Sequence, residues 1–180
     1  GAGDFEVSPE ATHHGPWLET PACFCEIGSR EEDWGRTDAS KVWAAVLHEE
    51  LFGGGAEENE ENEEEAVKTE LETVVIGIGG GHYCPKIADV IGSSPSVAVG
   101  HILPSYALAM EEGGDWESAV REAVRSTREA MDRRQGTKAV ELVALVDKKA
   151  FKSTQKAMLL SLLEDLGVRA ALKKNQVVLR

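Results

Sequence analysis

The sequence of 180 residues is poor in cysteine and in aromatic side chains, and it contains no long apolar run. Its three cysteines, an odd number, do not form a disulfide framework and indicate a reducing compartment. With no stretch of about 18 apolar residues and no signal peptide, nothing in the sequence indicates a membrane segment. We therefore expect a cytoplasmic protein without membrane contact, folded as one domain over residues 1–180.

Basic residues are also scarce, since 19 Lys and Arg stand against 32 Asp and Glu and leave a formal charge of −13. Such a charge disfavours nucleic acid, whose phosphates are held by Lys and Arg. Residues 57–65 hold seven of the glutamates and follow three glycines, which predicts a disordered acidic insertion at about residues 54–68. The remaining charge of −6 still requires local basic clusters for any RNA contact. Two clusters exist, at residues 148–152 and 173–174, and a solvated helix face is the alternative interpretation of each.

Apolar periodicity predicts strands that alternate with helices. The predicted strands are residues 22–27, 72–78, 96–99 and 140–146, with one or two more within 168–179. The predicted helices are residues 38–51, a short one near 87–91, a long one from Asp115 to the Gln135-Gly136 pair, and 153–166. This order predicts an α/β three-layer sandwich, in which a mixed, largely parallel central sheet is flanked by helices.

Four of the five histidines stand in turns rich in Gly or Pro beside predicted strands. His82 follows three glycines, His101 follows Gly100, and the adjacent pair His13 and His14 precedes Gly15-Pro16. Ligands of open α/β sheets gather at such turns. The pattern predicts one shared site, with a structural role as the alternative for each isolated histidine.

The glycine run before His82 is compatible with phosphate binding, because bare backbone N–H groups can cradle an anion. It lacks the dinucleotide fingerprint, since Pro85 stands where the helix would open, and it is not a Walker loop. His82 itself can serve as a general base, a metal ligand or a donor to phosphate. Glu26 can be a metal ligand or orient a histidine, and its alternative is a capped turn.

Four sequence blocks together carry a family resemblance. They are Glu10-Ala-Thr-His-His-Gly-Pro16, Glu26-Ile-Gly-Ser29 with Trp34 following, Gly79-Gly-Gly-His-Tyr-Cys-Pro85, and Gly100-His-Ile-Leu-Pro104 with Tyr106-Ala-Leu108. In order and wording they resemble the archaeal and plant type of D-aminoacyl-tRNA deacylase. The resemblance runs from about Val7 to the C-terminus, so we expect the C-terminal part of a longer protein.

The resemblance implies a carboxylic ester hydrolase of translation quality control. Its substrate would be the ester between a D-amino acid, including aldehyde-modified forms, and the 3′ end of tRNA. It also implies zinc as cofactor and a fold similar to peptidyl-tRNA hydrolase or purine nucleoside phosphorylase. D-aminoacyl-tRNA is then the expected partner, and a monomer is the expected state.

On this basis we expect particular residues at the site, with their separate roles as ligand or base left open. The expected catalytic residues are His14, His82 and His101, and the expected zinc ligands are His13, His14, Glu26, His82 and His101. The expected substrate-binding residues are Gly79, Gly80, Gly81, Tyr83, Lys148, Lys149 and Lys152. Two alternatives stay open: a metal-dependent amidase or peptidase for small molecules, and a non-catalytic module that binds a nucleoside or tRNA.

Overall fold

The computed structural model describes residues 5, 7–11, 24–52, 70–111, 113–133 and 139–178. The chain forms two compact units, each described here by itself. The first comprises Gly1–Val7 and Ala22–Lys68, and the second comprises Ser8–Pro21 and Thr69–Arg180. The predicted acidic insertion, the predicted stop of the long helix at Gln135-Gly136, and His13 and His14 lie outside the described residues.

The first unit contains one long helix, α1, over Thr37–Phe52, which confirms the helix predicted at residues 38–51. A short 3-10 turn over Glu31–Asp33 precedes it, and the Arg36 guanidinium donates to both Asp38 carboxylate oxygens at 2.8 and 2.6 Å. The strand predicted at residues 22–27 is wrong for its described part, because residues 24–27 belong to no strand. Phe24 is exposed, so the described part of this run is not the buried strand that its apolar character predicted.

The second unit is built on a four-stranded sheet with the order β2-β1-β3-β4. The strands are β1 Thr73–Ile78, β2 Val97–Leu103, β3 Glu141–Val146 and β4 Arg169–Ala171. The helices are α2 Pro85–Ser93, α3 Ser105–Leu108, α4 Trp116–Arg133 and α5 Ser153–Asp165, with a 3-10 turn at Lys174–Gln176. All three strand pairings are parallel, which confirms the predicted α/β class with a largely parallel sheet.

Both faces of the sheet are buried, as parallel sheets require. Alternate residues of β1 and β3 pack with α4 and α5 in one apolar cluster around Ile76 and Val120. The intervening residues pack with α2 and Val177 in a second cluster around Val75 and Ile87. The helices therefore cover two faces of one sheet, and every residue of β1 is buried.

The helix ends follow local sequence signals. Pro85 opens α2 at its first position, where a missing N–H costs nothing. The Asp115 carboxylate accepts from the Ser118 N–H at 3.3 Å and caps α4. Gly167 follows α5 with φ +62°, the left-handed conformation that glycine adopts readily at a helix end.

The strand predicted at residues 96–99 is too short, because β2 continues to Leu103 and includes Gly100 and His101. The register with β1 shifts at this point, so that Val75 pairs with Val99 and Ile76 with His101. Gly100 is thus the extra residue of a bulge. A Cβ there would lie 2.5 Å from Thr127 Cγ2 of α4, so glycine allows the strand to pass under the helix. None of the described helices is long and apolar enough to cross a membrane.

Candidate active site

The parallel sheet brings three chemically distinctive segments to one edge. Residues 79–83 follow β1, residues 104–106 follow β2, and residues 147–149 follow β3. From β1 the chain continues to β2 on one side, and from β3 it continues to β4 on the other side. The strand order therefore reverses between β1 and β3. Open α/β sheets bind ligands outside the carboxyl ends of their strands at such a reversal.

The turn after β1 depends on glycine. Gly79 and Gly80 have φ of +98° and +82°, a region that residues with a Cβ rarely adopt. A Cβ on Gly79 would lie 2.7 Å from the Phe151 ring. The turn is held by Gly79 N–H, which donates to Leu103 O at 2.8 Å. The N–H groups of Gly80 and Gly81 donate no backbone hydrogen bond to a described residue.

The turn is also tied to the segment after β2. Gly80 O accepts from Ser105 N–H at 3.1 Å and from Ser105 Oγ at 2.9 Å. Ser105 begins α3, so these two hydrogen bonds hold the neighbouring Tyr106 near the glycine turn. The loops after two adjacent strands are therefore hydrogen-bonded to each other.

His82 lies between a carboxylate and a phenol. Its Nε2 forms an ion pair with the Glu10 carboxylate, and its Nδ1 lies 3.3 Å from the Tyr106 hydroxyl. An ionised carboxylate only accepts, so Nε2 carries a proton, and in the tautomer with this single ring proton Nδ1 is the acceptor. The His82 side chain is about 30% exposed, which leaves it accessible to substrate.

Backbone pairing places Glu10 beside His82. Glu10 and Tyr83 form an antiparallel bridge, and Ala11 N–H donates to His82 O at 3.1 Å. A second bond, from Cys84 N–H to Pro9 O, is 3.4 Å long. The segment before the predicted pair His13 and His14 is thus fixed along the His82 loop.

A pocket of about 90 Å³ opens at the strand reversal, between the glycine turn and the start of α2. At its rim Lys86 Nζ donates to Asp147 Oδ1 at 2.6 Å, and Lys149 N–H donates to the same oxygen at 3.1 Å. Burial raises the pKa of the Asp147 carboxyl, but these bonds and the lysine charges lower it by more, so the net pKa is below its ordinary value. Asp147 is ionised near neutral pH.

His101 has different partners from His82. Its Nε2 lies 2.8 Å from Ser126 Oγ on α4, and Ser126 donates to Glu122 O. Desolvation of the ring lowers the pKa of His101, and the Glu122 charge raises it by less. His101 belongs to β2 itself, whereas His82 lies in the loop beyond β1. No described contact joins the two rings.

The other predicted site residues have varied surroundings. Tyr83 is half-exposed and packs edge-on against the His82 ring, with 5.0 Å between centroids. Lys148 and Lys149 are exposed and directly follow Asp147 in the sequence. Lys152 Nζ forms a 2.8 Å ion pair with Glu111. Glu26 is exposed in the first compact unit.

The described residues fit a zinc ion only in part. His82 and Glu10 are ligand types that zinc accepts, but structural and catalytic zinc sites use at least three protein ligands. Within the described ranges no group of three His, Cys, Asp or Glu residues could hold a metal. The predicted ligands His13 and His14 lie outside those ranges, so the described part alone does not complete the site.

Comparison with known proteins identifies the family. A sequence model of the family described as D-aminoacyl-tRNA deacylase matches residues 2–171. The chain belongs to the D-aminoacyl-tRNA deacylase family. The resemblance of the four sequence blocks is thereby confirmed.

Deacylase relatives come from both plants and archaea. A D-aminoacyl-tRNA deacylase of Arabidopsis thaliana is 37% identical over 92% of this chain and 53% of its own length. One from Pyrococcus furiosus is 40% identical over 68% of this chain and 38% of its own length. A solved structure of a conserved protein of unknown function matches with a TM-score of 0.66 and 25% identity, over 97% of this chain and 51% of that one. The chain thus spans about half the length of the plant relative.

The structure adds four residues to those predicted at the deacylase-family site. Glu10 and Tyr106 contact His82, and Lys86 and Asp147 border the pocket. Glu10 and Tyr106 do stand in the blocks that carried the resemblance, and Asp147 directly follows an apolar strand. These positions in the sequence could have indicated a role at the site. Their contacts with His82 or Lys86, however, depend on the fold.

Proposed function

We propose that this chain hydrolyses the ester between a D-amino acid and the 3′ end of tRNA, and so acts in translation quality control. The observation that carries the proposal is the Glu10–His82–Tyr106 arrangement beside a glycine turn, within a chain of the deacylase family. Ester hydrolysis needs an activated water and a donor for the developing oxyanion, and this edge of the sheet has groups suited to both.

His82 is the proposed general base. Glu10 accepts from Nε2–H, which orients the ring and keeps Nδ1 ready to take a proton. The Tyr106 hydroxyl positions the attacking water and passes the proton of that water to Nδ1. The water oxygen bonds to the ester carbonyl carbon, the bond from that carbon to the ribose oxygen breaks, and the ribose oxygen receives the proton from His82.

The glycine turn is the proposed site for the carbonyl oxygen. The backbone N–H groups of Gly80 and Gly81 make no backbone hydrogen bond to a described residue, so they are candidate donors to a ligand. Preorganised backbone donors of this kind stabilise an oxyanion because they need no rearrangement during the reaction. Gly79 gives the turn its shape. Its φ is positive and a Cβ at this position would lie 2.7 Å from the Phe151 ring, so the position requires glycine.

Basic and aromatic side chains are proposed to hold the tRNA end. Lys148 and Lys149 are exposed, and their ammonium groups make no ion pair with a described residue, which suits contacts with phosphates. Lys152 would first have to leave Glu111, so its contribution is expected to be smaller. Tyr83 is half-exposed beside His82, which supports a role in stacking on the terminal adenine.

Zinc is a separate proposal. Glu10 offers a carboxylate, and further ligands would have to come from outside the described residues, where His13 and His14 stand, because the proposed mechanism uses both ring nitrogens of His82. No step of the reaction is assigned to the metal. We expect purified protein to bind about one zinc per chain, measured by atomic absorption, and His13→Ala with His14→Ala to lose it. Retention of zinc by that double variant would contradict these ligands.

The deacylase reaction is favoured over the two alternatives because family membership and the site geometry agree on it. A small-molecule amidase would not need the exposed lysines at residues 148–149, and a non-catalytic module would not need the oriented histidine. A cytoplasmic location and a monomeric state stay predictions.

The test is release of amino acid from matched D- and L-aminoacyl-tRNA. We expect release from the D-form alone, and we expect His82→Ala to lower the rate at least about 100-fold, the usual contribution of a general base. His101→Ala is the comparison variant: full activity there would assign the base to His82 alone, and a matching loss would support the predicted role of His101. Near-normal turnover by His82→Ala, or no preference for the D-form, would contradict the proposal.

A further inference from the structure

Asp147 occupies the point where a ligand of this fold is expected. It is the first residue after β3, and its N–H donates to Ile78 O at the end of β1 at 2.8 Å. Its carboxylate therefore stands at the strand reversal, on the rim of the pocket whose other wall is the glycine turn. The mechanism proposed above does not use this side chain.

The two carboxylate oxygens of Asp147 have different surroundings. Oδ1 accepts both hydrogen bonds, from Lys86 Nζ at 2.6 Å and from Lys149 N–H at 3.1 Å. Oδ2 accepts none from the described residues. It lies 3.9 Å from the position that a Cβ on Gly80 would occupy, so the absence of a side chain at Gly80 leaves space in front of it.

The charges nearby select the kind of group that fits there. The Lys86 ammonium already compensates the Asp147 carboxylate, and two more lysines follow at positions 148 and 149. A second cation at Oδ2 would meet the repulsion of these lysines, whereas a neutral hydroxyl would not. A carboxylate oxygen accepts from a hydroxyl in a strong, charge-assisted hydrogen bond.

The proposed substrate carries such a hydroxyl next to its reacting bond. One of the two neighbouring hydroxyls of the terminal ribose is esterified, and the other is free. Gly80 is two residues before His82, a backbone span of at most about 7 Å. A ribose held at Oδ2 would thus keep its ester within reach of the base and of the Gly80 and Gly81 N–H groups.

We propose that Asp147 is a substrate-binding residue whose Oδ2 accepts a hydrogen bond from the free hydroxyl of the terminal ribose. Lys86 is a positioning residue, because its bond to Oδ1 fixes the carboxylate and directs Oδ2 toward the glycine turn. This inference rests on the proposed deacylase function. It predicts that the site recognises the ribose as well as the amino acid.

The test pairs two ligands with three proteins. The ligands are adenosine with a D-phenylalanyl group joined to its 3′ position by an amide, which resists hydrolysis, and the 2′-deoxy form of the same compound. Calorimetry should show that the unaltered chain binds the hydroxyl form about tenfold more tightly, the effect of one hydrogen bond to a charged group. Asp147→Ala should bind the two forms equally. Asp89→Ala, which removes an exposed carboxylate on α2, should keep the tenfold preference.

The outcomes separate this inference from the function on which it rests. Equal binding of both forms by the unaltered chain, or a preference that persists in Asp147→Ala, would overturn the role of Asp147 even if D-aminoacyl-tRNA is hydrolysed. An unaltered chain that neither hydrolyses D-aminoacyl-tRNA nor binds either form would overturn the proposed function as well. The comparison of two ligands on the unaltered chain does not depend on the folding of any variant.

Discussion

Glu10 and Tyr106 contact opposite nitrogens of the His82 ring, and this decides which nitrogen can take a proton. Glutamine at position 10 keeps the size of the side chain but can turn a donor toward Nε2, which favours the unproductive tautomer. We expect Glu10→Gln to lower kcat about 100-fold or more with little change in KM, as loss of the orienting carboxylate does in related catalytic arrangements. Steady-state hydrolysis of D-aminoacyl-tRNA measures both constants.

Tyr106→Phe is the matched variant, since it keeps the ring and removes only the hydroxyl. Its kcat should fall less, by about tenfold, because water can replace the hydroxyl at Nδ1. A rise in KM with unchanged kcat in Glu10→Gln would mean that Glu10 binds substrate instead of orienting His82.

The sequence identified a site residue where its neighbours along the chain form a distinctive pattern. His82 was identified because three glycines precede it at the end of an apolar strand. Glu10 and Asp147 were not ranked as site residues, because their partners His82 and Lys86 are distant in sequence and come close only through the bridge at Tyr83 and the parallel sheet. Pair relations of this kind need the fold.

At the scale of elements, the glycine turn offers a sharp comparison between neighbouring positions. Gly79→Ala would combine a strained φ with a contact of 2.7 Å to Phe151, and we expect it to lower the free energy of unfolding by about 2 kcal/mol or more. No atom of a described residue lies within 4 Å of a Cβ added at Gly81, so Gly81→Ala should change stability by less than about 0.5 kcal/mol. Urea unfolding measures both.

The same two variants test the proposed oxyanion site. Gly81→Ala should still lose activity, because its methyl group would stand where the carbonyl oxygen approaches the backbone. Full activity in a stable Gly81→Ala would show that the substrate does not reach this part of the turn.

An ion pair links the edge strand β4 to β3. The Arg169 guanidinium donates to both oxygens of Glu141 at 2.6 and 2.8 Å, and also to Gln176 O and Val177 O. The hydrogen bonds from Arg169 lower the pKa of Glu141, and burial raises it by less. The ion pair therefore adds stability above the unfolded pKa of about 4.3, and this is lost as pH falls through the lower folded pKa.

Glu141→Gln should thus cost about 0.5 kcal/mol at pH 7, a small value because the pair is partly exposed, and less at pH 3. Arg169→Met should cost more, about 1–2 kcal/mol, and should keep part of that cost at pH 3, because the bonds to the two carbonyls do not titrate. Unfolding by urea at the two pH values separates these contributions. A cost of Glu141→Gln that is independent of pH would contradict the assignment.

Most elements followed from apolar pattern alone. Strands β1 and β3 are buried on both faces and so appear as continuous apolar runs, and α1, α4 and α5 begin within a residue or so of their predicted starts. The errors have physical causes. The apolar run at residues 24–27 is exposed or half-buried and belongs to no strand, and Gly100 marked a bulge within β2 instead of a turn after it, because its neighbour Thr127 comes from a distant helix.

At the scale of the whole molecule, charge opposes the proposed substrate. The formal charge of −13 repels tRNA, and more than half of it comes from the seven glutamates of residues 57–65. Lys148 and Lys149 act against this field only locally, because screening limits the reach of a charge to about 8–10 Å at moderate salt. The two charge groups should therefore affect tRNA binding in opposite directions and through different ranges.

Replacing the seven glutamates by glutamine keeps the chain length and brings the formal charge to −6. We expect KM for D-aminoacyl-tRNA to fall several-fold at about 50 mM salt, with kcat unchanged and the difference vanishing as salt rises, because long-range repulsion is screened. Lys148→Gln with Lys149→Gln should raise KM under the same conditions, because phosphate contacts are lost. Steady-state kinetics over a salt series measures both variants. A fall in kcat on neutralising residues 57–65 would show that this segment takes part in the reaction and is more than a source of charge.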